Sequence, residues 1–498
     1  LKKVTLMTSN NSVVTIAIPA ETPEKNTSRS LAQFTNRAMG NLLRTWQDVK
    51  STARTAVGGD AVRPSLPEDD LPYFNRQIKA CLEPKGGEVT ARANTVELGR
   101  LYLRLNANGR KRFFQLLAKR YDIDHDDVQR IAASLASLPQ GEDRRRAEGA
   151  LRKALIAPRT TLFRQFNSLP DGFKFLVDMR SEMLAYSRED AGIAAVESDL
   201  KYVLSAWFDV GLLDLEEITW RSPAELLEKL MAYEAVHAIR SWDDLKNRLD
   251  ADRRVFGFFH NKMALEPLIF VQVAFTKGLA TSIQDVLDET KPTQNVGEAD
   301  TAIFYSISNA QQGLAGISFG NFLIKRVVGK LSGEFKNLRT YATLSPVPGF
   351  CKWLHKELDE GNDTPLFQPA EIQTLMTLAS EDSACQSLKT LLADGKWHEK
   401  TKLAEALKPV LMRLCACYLV REKRGQRALD PVAHFHLSNG AQLEQLNWLG
   451  DISTKGIKQS AGIMVNYYYK LADIDDNHED YVTDGRIATS KPVQQWVK

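Results

Sequence analysis

The chain has 498 residues, 43% of them hydrophobic and 26% charged, with a formal net charge of +3. The length suits two or three domains and the apolar share suits a globular protein rather than a disordered one. So small a net charge excludes a general nucleic-acid binder, which concentrates Lys and Arg on one face, but suits a small anionic ligand held by a few local cations.

Residues 1–30 are rich in Ser, Thr and Asn and read as a flexible leader; their apolar patch, Val13-Val-Thr-Ile-Ala-Ile18, is too short and poorly flanked for a secretory signal. Residues 31–207 read as helices and loops. Asp124 is a candidate N-cap ahead of Val128, Ile131, Leu135 and Leu138, and Asp171 ahead of Phe173, Phe175, Leu176, Met179, Met183 and Leu184, in both cases at near-helical spacing. Arg144-Arg-Arg146 with Arg152 and Lys153 reads as a solvated basic helix face.

The pattern changes at about residue 208. Leu213-Asp-Leu-Glu-Glu-Ile-Thr-Trp220 alternates like a strand. Ser222-Pro-Ala-Glu225 reads as a capping box opening a helix, and a second helix is expected from Ser241. Residues 254–259 and 266–275 read as strands, the second nearly continuous in apolar residues, as a strand covered on both faces requires. Phe304-Tyr-Ser-Ile-Ser308 is a further buried strand. Gln311-Gln-Gly-Leu-Ala-Gly-Ile-Ser-Phe-Gly320 follows as a glycine loop and 321–328 as an amphipathic helix. Glycines there let backbone approach a ligand closely, and the first N–H groups of the helix face an anion such as a pyrophosphate. A strand over 338–344, a helix over 350–358, inserted helices over 359–424, a strand region from His434 to about Trp448 and a further apolar and aromatic segment over 463–469 complete an α+β layout. The residues after 472, acidic and then polar, read as a partly mobile tail.

Two residues stand out chemically. Ser345 ends a strand in Leu344-Ser-Pro-Val-Pro-Gly-Phe350, a stiff turn at the carboxyl end where open sheets place ligands. His436 shares one face of its presumed strand with His434; a metal site there would need further ligands that no spacing supplies. Cys415 and Cys417 lie in an apolar run that reads as a buried helix, where residues two apart point in different directions. The other cysteines, Cys81, Cys351 and Cys385, are scattered. Such sparse use points to a reducing compartment such as the cytoplasm; Trp496-Val-Lys498 is not a peroxisomal signal, and a mitochondrial location is compatible. No run reaches the roughly 18 apolar residues of a membrane span, and no P-loop lysine follows the glycine loop.

Residues 213–470 closely resemble the malonyl-CoA decarboxylase family. The matching elements occur in family order: Trp220-Arg-Ser-Pro223, Phe304-Tyr-Ser-Ile-Ser308, Gln311-Gln-Gly313, Phe322-Leu-Ile-Lys-Arg-Val-Val328, Leu344-Ser-Pro-Val-Pro-Gly-Phe350, Leu411-Met-Arg-Leu-Cys-Ala416, Phe435-His-Leu437 with Asn439-Gly440, and Asn447-Trp448. The resemblance implies a helical N-terminal domain (31–207) used in homodimer or homotetramer contacts. It implies a catalytic domain (208–498) with the mixed sheet of the GNAT acetyltransferases and a helical insertion at 359–424. It further implies that Ala315, Gly316, Ile317, Ser318, Phe319, Gly320 and Asn321 contact the CoA pyrophosphate, and that Ser345 and His436 are the catalytic pair. Ser318 departs from the pattern, since some members carry an acidic residue there.

The implied reaction converts malonyl-CoA to acetyl-CoA and CO2. The thioester carbonyl is itself the electron sink, so an enolate forms and no metal, thiamine or pyridoxal cofactor is expected. Ser345 is then expected to hold the carboxylate or mediate proton movement. His436 is expected to protonate the carbanion, with an imidazole pKa near the ordinary value of about 6.5. Two other functions would leave similar sequence traces: an acetyltransferase to an amine, separated by whether CO2 appears without an acceptor, and a non-catalytic acyl-CoA-binding scaffold, which would bind malonyl-CoA without consuming it.

Overall fold

The computed structural model describes residues 2–7, 13–18, 62–83, 87–317 and 323–497. Near the start, β1 (Lys2–Met7) pairs antiparallel with β2 (Val13–Ile18). The rest of the 1–30 leader lies outside the described residues, as do Ser318, Phe319, Gly320 and Asn321 of the glycine loop.

From Leu71 to Trp207 the described chain is helical. The helices are α1 (Leu71–Leu82), α2 (Glu88–Arg104), α3 (Ala107–Arg120), α4 (His125–Ser137), α5 (Glu142–Ala154), α6 (Pro158–Phe166), α7 (Gly172–Tyr186) and α8 (Ala191–Trp207). Asn106, Asp124 and Asp190 each accept the backbone N–H three residues on, satisfying a donor that a helix start leaves unpaired. Asp171 does not: α7 begins where expected, but Asp171 sits at φ 54 and its side chain makes no cap. The tight turn from α6 brings backbone against backbone instead, so a Cβ on Gly172 would lie 1.9 Å from the Phe166 carbonyl oxygen.

A mixed sheet follows: β3 (Leu213–Ile218), β4 (Arg253–His260), β5 (Ile269–Thr276), β6 (Thr301–Asn309), β7 (Thr340–Thr343), β8 (Ser345–Pro346), β11 (Gln442–Asn447) and β12 (Met464–Tyr468). A two-residue ribbon, β9 (Lys423–Arg424) with β10 (Arg427–Ala428), stands apart. The strand order is β11-β12-β7-β6-β5-β4-β3, with β8 also on β12. Among the described strands only β6 and β7 pair in parallel. β5 is buried on both faces except at Thr276, as its continuous apolar run requires. This is the α+β arrangement expected.

Helices α9 (Ala224–Tyr233), α10 (Trp242–Arg248), α11 (Leu323–Glu334) and α12 (Phe350–Glu360) accompany the sheet. Next come α13 (Pro369–Ala379), α14 (Ala384–Ala393) and α15 (Thr401–Arg421) in the inserted segment. The last helices are α16 (Pro431–Ser438), α17 (Thr454–Ser460), α18 (Ile474–Asp484) and α19 (Lys491–Val497). Ser241 caps α10 as expected, accepting from Asp244 N. The capping box at Ser222 does not form: its hydroxyl accepts from Thr219 N, and Glu225 pairs with Lys229 one turn on. Among the described residues no helix is long and apolar enough to cross a membrane.

Two further expectations are corrected. His434 to Leu437 is helix α16, not strand; Asp430 and Pro431 supply the N-cap and first-turn proline that start it. The stretch after 472 is not a loose tail. Its acidic residues alternate with Ile474 and Tyr481, which are buried, and Val493 of α19 is buried too. Residues 488–490 also hydrogen-bond to Leu443, covering the β11 edge.

One apolar core runs through both halves, from Phe74 and Phe113 through Val177 to Phe258, Val327 and Tyr467. At the junction the turn Gln312–Leu314 meets α7 backbone to backbone: a Cβ on Gly313 would lie 1.7 Å from the Val177 carbonyl oxygen. Replacement of Gly313 by Ala must therefore push the glycine loop off α7. We expect this change to lower stability by about 1–3 kcal/mol, the usual range for overpacking, read from the urea midpoint; an unchanged midpoint would show that the junction yields freely.

Candidate active site

The parallel pair β6–β7 is in register only from Thr301 with Thr340 to Phe304 with Thr343. Beyond that point the strands part. β6 continues on β5 alone, with a register shift between Gln272 and Val273, while the chain after β7 turns to β12, where Ser345 opposes Val465 and Pro346 opposes Met464. Pro346 and Pro348 stiffen that departure. A wedge opens at the carboxyl end of the pair. β6 leads from it into the glycine loop, and β7 delivers Ser345 to its other side.

Ser345 and His436 meet there, the pair that the resemblance implies. Ser345 Oγ lies 3.0 Å from His436 Nε2, and both residues are buried, 6% and 3% exposed. The Ser345 hydroxyl donates to Thr343 Oγ1 at 2.9 Å, and Thr343 Oγ1 also accepts from Tyr467 N at 3.1 Å. A hydroxyl has one proton. With that proton on Thr343, Ser345 Oγ accepts from Nε2–H, and His436 Nδ1 accepts from the Tyr469 hydroxyl at 2.8 Å. The Tyr467 ring stacks on the imidazole at 4.6 Å between centroids.

This environment changes the acidity expected of His436. Burial among aromatic rings penalises the imidazolium and lowers the pKa to about 3. The imidazole is therefore neutral near neutral pH, not the ordinary titrating one expected from the sequence. Burial likewise raises the Tyr469 phenol, which stays protonated and able to donate.

Asp430 places the pair. Its Oδ1 accepts from Val432 N and Ala433 N at 2.9 and 3.0 Å, capping α16, and its Oδ2 accepts from Gly349 N at 3.1 Å, in the turn that follows Ser345. Burial raises its pKa against the pull of those donors. Sequence reasoning missed Asp430, Thr343 and Tyr469. Asp430-Pro431 is a helix-start signal that would have found the first, and Thr343 lies two residues before Ser345, on the same side of an extended chain. Nothing in the sequence singles Tyr469 out from Tyr467 and Tyr468. His434 turns away from the pair, its Nδ1 meeting the Tyr481 hydroxyl at 2.8 Å.

Of the expected pyrophosphate loop, Ala315, Gly316 and Ile317 are described. Gly316 adopts φ +72, a conformation natural to glycine, and Ile317 is buried. Arg180 on α7, 1% exposed, donates to the Gly313 and Ala315 carbonyls at 2.5 and 2.8 Å and pairs with Glu197 of α8. Cys415 is buried on α15 and Cys417 half-buried, on different faces. Among the described residues no group of three or more His, Cys, Asp or Glu side chains is arranged to hold a metal ion.

Comparison with known proteins agrees with this reading of the fold. The family description "Malonyl-CoA decarboxylase C-terminal domain" matches residues 211–498, and "Malonyl-CoA decarboxylase N-terminal domain" matches residues 121–208. The mitochondrial malonyl-CoA decarboxylase of Anser anser anser is 39% identical over 425 residues, 82% of this chain and 84% of that protein. That of Rattus norvegicus is 39% identical over 391 residues, 76% of this chain and 79% of that protein. The crystal structure of malonyl-CoA decarboxylase from Rhodopseudomonas palustris superposes with a TM-score of 0.76 at 38% identity, covering 85% of this chain and 99% of that one. That from Agrobacterium vitis superposes with a TM-score of 0.77 at 38% identity, covering 86% and 100%. By sequence and fold alike, this chain belongs to the malonyl-CoA decarboxylase family of carboxy-lyases.

Proposed function

We propose that this protein decarboxylates malonyl-CoA to acetyl-CoA and CO2 at the Ser345–His436 pair, with the thioester carbonyl as electron sink. The observation that carries the reading is the 3.0 Å contact between Ser345 Oγ and His436 Nε2 at the mouth of the parted β6–β7 pair, whose other side leads into the glycine loop. The acyl end of the substrate sits at the pair and its nucleotide end at the loop, with Ala315, Gly316 and Ile317 as the described part of the pyrophosphate contact.

In this mechanism Ser345 hydrogen-bonds the malonyl carboxylate and orients its C–C bond across the plane of the thioester carbonyl. The bond breaks, its electron pair enters the carbonyl as an enolate, and CO2 leaves. One proton must then reach the α-carbon. His436 is neutral when the site is empty, and the arriving malonyl anion supplies the opposite charge that favours imidazolium. His436 therefore takes up its proton with substrate and delivers it to carbon, while Tyr469 on Nδ1 keeps the ring in place. The low dielectric that suppresses the empty-site imidazolium also strengthens each hydrogen bond to the developing enolate.

The helical half fits a role in homodimer or homotetramer assembly. Its α4 and α5 bury no side chain fully, and Leu155 and Ile156 beside them are half exposed.

Purified protein given malonyl-CoA and no acceptor should release CO2 and acetyl-CoA in equal amounts, measured by mass spectrometry; an acetyltransferase would release neither. His436→Ala should lower kcat on the order of 10²–10⁴, and Ser345→Ala on the order of 10²–10³, each with KM changed little. Near-normal turnover in either variant would remove that residue from the chemistry.

The lowered imidazole pKa gives a separate test. Between pH 6.5 and about 3 the unfolded chain protonates His436 and the folded protein does not. Stability is therefore lost as pH falls through that window. The stability of the protein relative to its His436→Asn variant should drop by about 2 kcal/mol from pH 7 to pH 5, read from urea unfolding at the two pH values. Parallel curves would mean that the imidazole titrates normally.

A further inference from the structure

The helical half reaches the glycine loop with more than packing. Lys201, on α8, extends its ammonium over the backbone of Gly316: a Cβ built on that glycine would lie 3.3 Å from Lys201 Nζ and 3.8 Å from Cε. The surrounding cations are already engaged. Arg180 is saturated by Glu197 and by two loop carbonyls. Lys325, in the first turn of α11, is 2.9 Å from Asp475. Arg326 donates to the Leu213 carbonyl and lies over the Phe258 ring. Lys201 makes no ion pair with any described carboxylate. An ammonium set against a glycine in the left-handed region, ion-paired with no described carboxylate, is a group placed for an anion from outside.

We propose that Lys201 binds the diphosphate of the CoA thioester, so that the helical half contributes a substrate ligand to a site otherwise built on the sheet domain. The inference rests on the reading of the glycine loop given above and adds to it a specific cation from a different part of the chain. The contact involves no bond making. It anchors the nucleotide end of the substrate, remote from Ser345 and His436, and so acts on binding rather than on the chemical step. The Arg180 bonds give it a fixed target. They hold the Gly313 and Ala315 carbonyls to α7, the helix that precedes α8, so that loop and lysine share one frame.

The test compares the full-length protein with Lys201→Met and Lys201→Arg, using malonyl-CoA, malonyl-dephospho-CoA and malonyl-pantetheine. In the parent protein KM should rise when the diphosphate is removed, in malonyl-pantetheine. Lys201→Met should raise KM about tenfold, as expected for a charge-assisted hydrogen bond on a half-buried side chain. It should do so for malonyl-CoA and malonyl-dephospho-CoA alike, with kcat within twofold, a shallower salt dependence of kcat/KM and no effect on malonyl-pantetheine. Lys201→Arg should restore most of the affinity. An unchanged KM, an equal rise for malonyl-pantetheine, or a rise confined to malonyl-CoA would each overturn the assignment, the last by moving the contact to the ribose phosphate. If the parent protein itself used malonyl-pantetheine and malonyl-CoA with equal KM, the loop reading would fall and the inference with it, an outcome the unmodified protein reports alone.

Discussion

The Asp430 carboxylate holds together two backbone segments 81 residues apart, the first turn of α16 and the turn that follows Ser345. Each segment ends in donors with no partner of its own, and one buried carboxylate answers both. Its position sets where His436 stands relative to Ser345, since the imidazole is carried about a turn and a half along α16 and the hydroxyl four residues before Gly349. A buried charge left with fewer donors would be costly, so Asp430 also resists any slippage of one segment past the other. A contact of 3.0 Å between side chains on a short helix and a two-residue strand needs such a fixed reference.

The wedge at which the pair sits arises from a failure of strand pairing. β6 and β7 keep parallel register for four residues and then diverge, because Ser345 and Pro346 pair with β12 instead. Asn466 secures that departure by donating to the Thr343 carbonyl at 2.7 Å, on the strand just before it splits. On the other side, Ser306 and Ser308 of β6 are tied to the buried carboxylate of Glu234, which also accepts the backbone N–H groups of Val236 and His237. The two sides of the wedge are thus held by side chains from different elements, and the opening does not depend on either strand alone.

Much of this was legible in the sequence. The continuous apolar run of β5, the helix after Ser241, the glycine loop between β6 and α11, and the buried helix carrying Cys415 follow from periodicity and turn chemistry, which act over a few residues. The same local rules misled at α16. His434-Phe-His-Leu437 alternates like a strand, but Asp430 and Pro431 satisfy and pre-shape a helix start, and the cap decides between two otherwise balanced patterns. They misled again at Ser222 and Asp171, where the residue type permits capping and the incoming chain direction does not.

What the sequence by itself determined is the set of groups: a serine at a stiff strand end, a histidine in an apolar segment, glycines ahead of an amphipathic helix, and through their resemblance a family. Tertiary structure alone decided how those groups behave. Burial beneath Tyr467 makes His436 a neutral base at rest, Tyr469 reaches its far nitrogen, and α7 and α8 bring Arg180 and Lys201 onto the loop from more than 100 positions earlier in the chain. Composition and spacing carry no record of dielectric or of contacts between distant segments, because both arise only when the chain is packed.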